Sequence, residues 1–272
     1  MADLEIEAKT KTSKALNSLR SSKDLPEYLE LMHELLSLIT DLGSSRLSQY
    51  VVHRRAILTL LEKSLEIKED GTYALESNIH ELIFPQRTTS DDIEFESQNL
   101  WLIDERLAFH HFLSSDKPLG SVVKGSGAAQ RPDLIVFDNP LAYTEASPVN
   151  SVVIVEFKRP ERDEYSDDDN PINQVYGYIQ KINDAKAKNA KGQTISVGSS
   201  ARYYCYVIAT LTPKIRTYAK YASLKETPDG HGYYGYNEEL RAYVEVISFD
   251  KLVADAFKRN KVLFEKLNLP TT

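Results

Sequence analysis

Two different hydrophobic periods divide this chain. Between residues 25 and 67, leucine, isoleucine and valine recur every three or four positions, which predicts two amphipathic helices over about 26–42 and 46–67. A Gly43-Ser44-Ser45 break separates them, so we expect a helical hairpin. From residue 76 onward, short apolar runs alternate with turn residues, which indicates strands joined by loops and helices.

Two of these runs define the centre of the predicted sheet. Residues 134–137 are Leu-Ile-Val-Phe and residues 152–155 are Val-Val-Ile-Val, and Pro, Asn and Asp bound both runs. Such runs are typical of buried strands. The segment between them carries turn residues, so it is predicted to be a loop.

The remaining elements follow from the same patterns. A short helix is predicted from Ser77 or Asn78 up to Pro85. The other predictions are a strand over 99–103, a short helix over 104–113, strands over 203–209 and 242–248, helices over 171–181, 214–221 and 250–267, and a glycine- and tyrosine-rich turn over 227–236. The predicted fold class is therefore α/β (α+β), with a mixed central sheet flanked by helices. A helical region over 1–75 would precede a domain over 76–272.

Composition narrows the class of protein. The chain has 272 residues, 42% of them hydrophobic, and a single cysteine, Cys205, which has no partner for an internal disulfide. No apolar run approaches the ~18 residues of a membrane span, and the first residues lack the apolar stretch of a signal peptide. We therefore expect a soluble, cytoplasmic protein that has no membrane partner.

Charge is unevenly distributed. The net charge of −7 argues against a basic protein that coats nucleic acid, but it does not exclude binding of a polyanion, because the electric field that matters is local. Residues 176–225 carry nine basic residues and one acid, Asp184. This segment either follows a phosphate backbone or forms a solvated surface. The basic residues are Lys181, Lys186, Lys188, Lys191, Arg202, Lys214, Arg216, Lys220 and Lys225.

Candidate chemistry lies at the ends of the two central strands. Glu156 and Lys158 are two residues apart, so both point to one face of the strand, while Phe157 points to the other. If the strands pair, Asp133 approaches the same edge. Two carboxylates suit Mg²⁺ or Mn²⁺, and the ammonium group adds charge stabilisation for phosphodiester hydrolysis.

The helix that follows carries a second set of polar residues. Gln174, Tyr178 and Lys181 lie at helical spacings of four and three, so they share one face that is a candidate for contacting substrate phosphates. Each residue also has an ordinary structural explanation. Asp133 can cap a strand, Lys158 can be a solvated strand end, and the helical residues can form an exposed stripe.

The stretch resembles the PD-(D/E)XK, or restriction-endonuclease-like, nuclease superfamily. Pro132-Asp133 matches the PD, and Glu156-Phe157-Lys158 matches the (D/E)XK after a spacing of 156 − 133 = 23 residues. Residues 174–178, Gln-Val-Tyr-Gly-Tyr, resemble the QxxxY motif of the RecB-like branch. The resemblance implies that Asp133 and Glu156 bind Mg²⁺ or Mn²⁺. It also implies that Lys158 positions the attacking water, and that Gln174 and Tyr178 orient substrate.

The same superfamily places an acid on a helix before the sheet. Glu81 is our candidate for that third metal ligand, with Glu105 as its competitor; a solvent-facing helical glutamate is the alternative reading.

A wider likeness concerns the segments HELIFPQR, NLWLIDERLAFHHFLSSD and SVVIVEFKRP. Over about residues 51–267 the chain resembles the C-terminal part of large bacterial proteins that begin with a histidine-kinase-like ATPase domain. This implies a triggered DNA endonuclease, acting in defence against foreign DNA, with an ATPase domain or partner. DNA is favoured over RNA, and the N-terminal helices are candidates for homo-oligomer formation. The alternative is a non-catalytic module on the same fold that binds nucleic acid or protein.

Overall fold

The structure is a computed structural model. It describes residues 41–67, 69, 71–124, 129–138, 149–166, 169–184, 186–188, 194–195 and 197–270, with residues 10, 11, 13, 14, 17 and 18 near the amino terminus. The chain divides into two compact units, Met1–Ala56 with Val262–Thr272, and Ile57–Lys261. The domain boundary predicted between residues 75 and 76 stays a prediction.

The smaller unit contains part of a long helix. Helix α1 spans Asp41–Leu65, close to the predicted 46–67 helix. Within this unit, Arg55 Nε donates a 2.8 Å hydrogen bond to the carbonyl oxygen of Pro270. The first helix of the predicted hairpin falls largely on residues 26–40, outside the described part of the chain. The hairpin itself therefore stays a prediction.

A seven-stranded mixed sheet forms the centre of the larger unit, in the order β1-β3-β4-β7-β10-β9-β8. Its strands are β1 Phe112–Ser115, β3 Leu134–Asp138, β4 Val149–Phe157, β7 Val197–Ile208, β8 Lys225–Glu226, β9 Gly232–Asn237 and β10 Ala242–Ile247. A separate three-stranded sheet, β2-β5-β6, is made of Val123–Lys124, Lys186–Lys188 and Thr194–Ile195.

Strand direction places the chemistry at one edge. β3 and β4 pair antiparallel, which meets the condition for bringing Asp133 to the end of β4, whereas β4, β7 and β10 run parallel. Parallel neighbours need crossover connections, and helices supply them here. The carboxyl ends of β4, β7 and β10 therefore lie along one edge of the sheet, which is where open α/β sheets bind ligands.

Five further helices accompany the sheet in the described residues. They are α2 Glu76–Ile83, α3 Leu119–Val122, α4 Pro171–Asn183, α5 Pro213–Tyr221 and α6 Phe249–Lys266. Asn170 caps α4 by accepting hydrogen bonds from two backbone N–H groups, and Thr212 caps α5 in the same way with one. Each helix then begins with a proline, whose fixed φ suits the first helical position.

The main core lies between one face of the sheet and helices α4 and α5. Ile135, Ile154 and Cys205 from the strands pack there with Val175 and Ile215 from the helices. These strand residues alternate with side chains on the opposite face, as the two-residue period requires. The mixed sheet flanked by helices confirms the predicted α/β class.

Three local predictions were wrong. Residues 99–103 do not form a strand but contain a 3-10 helix, Leu100–Leu102, since the Asn99 side chain bridges the Leu82 carbonyl and the Trp101 indole. Residues 104–113 form a shorter 3-10 helix, Glu105–Ala108, before β1 begins at Phe112. The predicted turn over 227–236 ends in strand β9, where Tyr233 pairs with Val246 of β10.

None of the helices in the described ranges is both long and apolar enough to cross a lipid bilayer.

Candidate active site

Strand pairing brings Asp133 and Glu156 together. The β3–β4 register pairs Leu134 with Val155, and one further step in the same register sets Asp133 across from Glu156. Asp133 Oδ2 accepts a 2.7 Å hydrogen bond from the backbone N–H of Phe157. The aspartate is thereby fixed at the end of β4, where the sequence placed it.

Lys158 turns back onto Glu156. Its Nζ donates to Glu156 Oε1 at 2.7 Å, and each residue is only 5% exposed. The other glutamate oxygen, Oε2, is buried and has no hydrogen-bond partner among the described residues. A buried carboxylate oxygen without a partner is costly, so this atom calls for a ligand that the protein alone does not supply.

Burial and nearby negative charge raise the pKa of both carboxyl groups. Burial, and then the negative charge of Glu156, raises the pKa of Asp133 well above its ordinary range. Burial also raises the pKa of Glu156, although Lys158 opposes that rise. Burial lowers the pKa of Lys158, but the charge and hydrogen bond of Glu156 outweigh burial, so that its pKa is raised and the ammonium group stays protonated.

A neutral histidine lies beside the aspartate. His80 of α2 packs on the Phe157 ring with centroids 5.3 Å apart, and its Nδ1 lies 3.7 Å from Asp133 Oδ1. Burial lowers its pKa to about 4, so the ring carries no charge at neutral pH. Nδ1 faces the amide nitrogen of Gln86 at 3.2 Å, which makes Nδ1 the acceptor, and Nε2–H then donates to Ser115 Oγ at 2.9 Å.

The helix face predicted to carry Gln174, Tyr178 and Lys181 lies on α4. The Tyr178 hydroxyl donates a 3.3 Å hydrogen bond to the Arg131 carbonyl, which holds the segment leading into Asp133. Burial and the charges of Glu156 and Asp133 raise the pKa of Tyr178. Gln174 Oε1 is buried with no hydrogen-bond partner in the described part of the chain. Lys181 is half-buried in the last turn of α4.

Glu76, rather than Glu81, faces the site. Glu81 is exposed, and its Oε2 accepts a 3.0 Å hydrogen bond from the backbone N–H of Gln86. Glu76 lines the cleft with Asp133, and its charge raises the pKa values of Asp133, Glu156 and Lys158. Glu105, the competing candidate, lies in a 3-10 helix and does not line this cleft.

Sequence reasoning missed Glu76 and His80. The signal was their spacing, because residues four apart on α2 share one face, whereas Glu81 lies about 100° further round the helix. Which face of α2 packs on the sheet depends on tertiary contacts, which the local sequence of the helix does not determine.

A cleft of about 950 Å³ opens beside Asp133. Six carboxylates and two guanidinium groups line it, so the cleft is strongly acidic. One wall is the acidic strap, which we define as residues 159–166. The backbone N–H of Arg159 donates to Glu76 Oε2 and that of Glu161 to Thr210 Oγ1, both at 3.0 Å, which holds the strap in place.

The donor set fits a hard divalent cation. Asp133 and Glu156 offer carboxylate oxygens, and Glu156 Oε2 is the buried atom without a partner noted above. In the described residues, no group of three or more His, Cys, Asp or Glu side chains is arranged to hold a metal ion. A two-carboxylate site leaves most of the coordination shell to water and substrate, which is how Mg²⁺ is usually bound.

Comparison with known proteins adds no relative: no family model, no curated protein and no solved structure matches the chain. The assignment of a function therefore rests on the site itself.

Proposed function

We propose that this chain is a metal-dependent nuclease that hydrolyses phosphodiester bonds, with DNA as the first substrate to test, and that it belongs to the PD-(D/E)XK superfamily. The observation that carries the proposal is the buried meeting of Asp133, Glu156 and Lys158, with Glu156 Oε2 left without a partner. Perturbed carboxylates beside a cleft are typical of catalytic sites.

In this proposal Asp133 and Glu156 hold Mg²⁺ or Mn²⁺, and Glu76 adds negative charge at the rim of the cleft. The ion supplies Lewis-acid charge for the phosphate and a nucleophile at neutral pH. The hydrogen bond from the Phe157 N–H fixes one oxygen of Asp133, which leaves the other free to turn toward the ion. Neutral His80 lies beside the aspartate, with Nδ1 3.7 Å from Asp133 Oδ1, and its Nε2–H donates to Ser115 Oγ, which fixes the ring.

Lys158 acts as a donor and not as a base. Its raised pKa keeps the amine protonated, so it cannot remove a proton from water. Held 2.7 Å from Glu156, its positive charge orients the attacking water and offsets the charge that develops on the phosphate. Hydrolysis forms one new P–O bond to water, breaks the P–O bond to the leaving strand and returns a proton to that leaving oxygen.

Cleavage assays test the proposal directly. Plasmid and single-stranded DNA are incubated with Mg²⁺, Mn²⁺ or EDTA. We expect cleavage with either metal ion and none with EDTA. Asp133→Asn and Lys158→Met should each lower the rate by about 10²–10³-fold. Lys258→Met, which alters a side chain that is 76% exposed, is the matched control. Activity that survives both site substitutions would refute the assignment.

A non-catalytic binding module is the second candidate. The acidic cleft favours it, because six carboxylates beside the site repel a polyanion. Titration with Mn²⁺ separates the two functions. A module that only needs the fold has no reason to bind the ion at Asp133, whereas a nuclease binds it there before any substrate arrives.

A further inference from the structure

A second groove lies between helices α4 and α5 and differs from the acidic cleft in chemistry. It has a volume of about 620 Å³ and its walls are polar and aromatic. Among the described residues that line it, Lys214 is the only charged one, and its backbone N–H donates a 3.4 Å hydrogen bond to Asp163 Oδ1 of the acidic strap. The lining of the groove includes Asn170, Asn173, Tyr176, Lys214, Tyr221 and Asn237.

Topology places one end of this groove at the edge that carries the active site. α4 follows β4 and α5 follows β7, so both helices run back along the sheet from the carboxyl ends of these strands. Asn170, the cap of α4, and Lys214, in the first turn of α5, therefore lie at the same edge as Glu156 and Lys158.

The acidic strap connects the two sites physically. Tyr165 of the strap packs edge-on against Tyr218 of α5, with ring centroids 6.2 Å apart. The Tyr218 hydroxyl donates a 3.1 Å hydrogen bond to the Ser166 carbonyl. Burial raises the pKa of Tyr165 to about 12, and the charge of Glu76 in the cleft contributes to that rise. Tyr165 thus lies between the cleft and the groove.

The aromatic groups of the groove differ in how far they are packed. Tyr221 at the end of α5 is 82% exposed, whereas Tyr176 is half-buried and packs against the main core. Lys214 lies over the Tyr218 ring, with Nζ 5.4 Å from the centroid. Asn173 is exposed and offers an amide donor and an acceptor, whereas the side-chain oxygens of Asn170 and Asn237 already accept backbone N–H groups, which leaves their amide N–H groups as donors. An exposed ring, asparagine amides and one cation form a surface that suits unpaired bases and their phosphates.

We propose that this groove binds the single-stranded nucleic acid that flanks the bond to be cut. The inference rests on the proposed nuclease function and names the path of its substrate. Tyr221 stacks on a base, Lys214 contacts a phosphate, and the asparagine amides bind sugar or base edges. The strand reaches the edge at Lys158 from this side, because the cleft on the other side of the strap repels phosphates.

Fluorescence anisotropy tests the groove without cleavage. Labelled deoxy- and ribo-oligonucleotides of about twelve nucleotides, and a DNA duplex of equal length, are titrated in EDTA over a range of salt concentrations. Tyr221→Ala should weaken single-strand binding about tenfold, while Tyr221→Phe keeps wild-type affinity. Lys214→Ala should reduce the slope of log K against log salt by about 0.7, the loss of one phosphate contact. Phe109→Ala, 80% exposed and outside the groove, is the control.

The outcomes separate the groove from the nuclease. The groove proposal is overturned if Tyr221→Ala binds with wild-type affinity and Lys214→Ala keeps the wild-type salt slope. It is also overturned if the wild-type protein binds neither single strand or prefers the duplex. Cleavage that depends on Asp133 would still stand in either case. Conversely, if the groove variants lose binding but the wild-type protein cleaves nothing, the groove proposal is supported and the nuclease proposal is refuted. The deoxy and ribo arms decide between DNA and RNA.

Discussion

The cleft and the groove lie along the same edge of the sheet but are built from opposite materials. Glu156 and Lys158 are 5% exposed and charged, whereas Tyr221 is 82% exposed and neutral. Desolvated charges interact strongly and suit chemistry, while exposed rings and amides hold a strand without demanding a particular charge balance. The difference teaches that the reaction and the retention of substrate can be assigned to separate surfaces. Substitutions can then remove one of these activities without the other.

Metal affinity is the sharpest way to break this comparison. Glu156→Gln keeps an acceptor for Lys158 but removes a charged ligand, so the Kd for Mn²⁺ should rise roughly 100-fold or more. Tyr221→Ala should bind Mn²⁺ like the wild-type protein, because its ring is no part of the donor set. Isothermal titration calorimetry measures both. Equal weakening in the two variants would mean that the surfaces are not independent.

Substitution of the two α2 glutamates tests which of them acts on the site. Glu76→Gln keeps the hydrogen bond from the Arg159 N–H but loses a charge that acts on all three site residues, so cleavage should fall about tenfold. Glu81→Gln is the matched change five residues further along the same helix and should leave the rate unaltered. The reverse ranking would restore Glu81 as the metal-site acid and place Glu76 in the strap alone.

Stability against pH sharpens the contrast between buried and exposed groups. Carboxyl groups with raised pKa values hold more protons in the folded than in the unfolded chain, from the ordinary value of about 4 up to the raised value. Stability conferred by these protons is present at low pH and is lost as pH rises through that window. Without metal, Asp133→Asn should therefore raise the Tm at pH 7–8 by about 2–4 °C.

That gain should shrink toward pH 4, where the wild-type aspartate is itself neutral. Glu81→Gln, which alters an exposed carboxylate on α2, is the control. Thermal unfolding in EDTA at several pH values checks both variants. A Tm for Asp133→Asn that lies below the wild-type value at pH 7–8 would contradict the raised pKa.

The smallest effect concerns the brace on α4. Tyr178→Phe removes the hydrogen bond to the Arg131 carbonyl and should lower the free energy of unfolding by about 1 kcal/mol. Cleavage should fall only modestly, because the segment before Asp133 loosens without losing a ligand. Tyr221→Phe, altered in the groove, should leave the unfolding free energy unchanged. Urea denaturation separates the two tyrosines, and equal stability would remove Tyr178 from the supporting structure.

Sequence patterns predicted the centre of this site well and its surroundings poorly. Asp133, Glu156 and Lys158 lie on adjacent antiparallel strands, where a two-residue period decides which side chains share a face. Glu76 reaches the cleft through long-range packing of α2, which no local period encodes. The strand predicted over 99–103 failed because a short apolar run fits a buried 3-10 turn equally well.

The alternation of Glu156, Phe157 and Lys158 along β4 has a consequence for how this site can change over evolution. A one-residue insertion or deletion that shifts β4 against β3 would turn the phenyl ring to the polar side and drive both charges among apolar residues. Length variation near this edge is therefore tolerable in the loops, as paired changes that preserve the parity of the strand, or where a bulge absorbs the extra residue, as the shift in register between Val149 and Ser151 does at the start of β4.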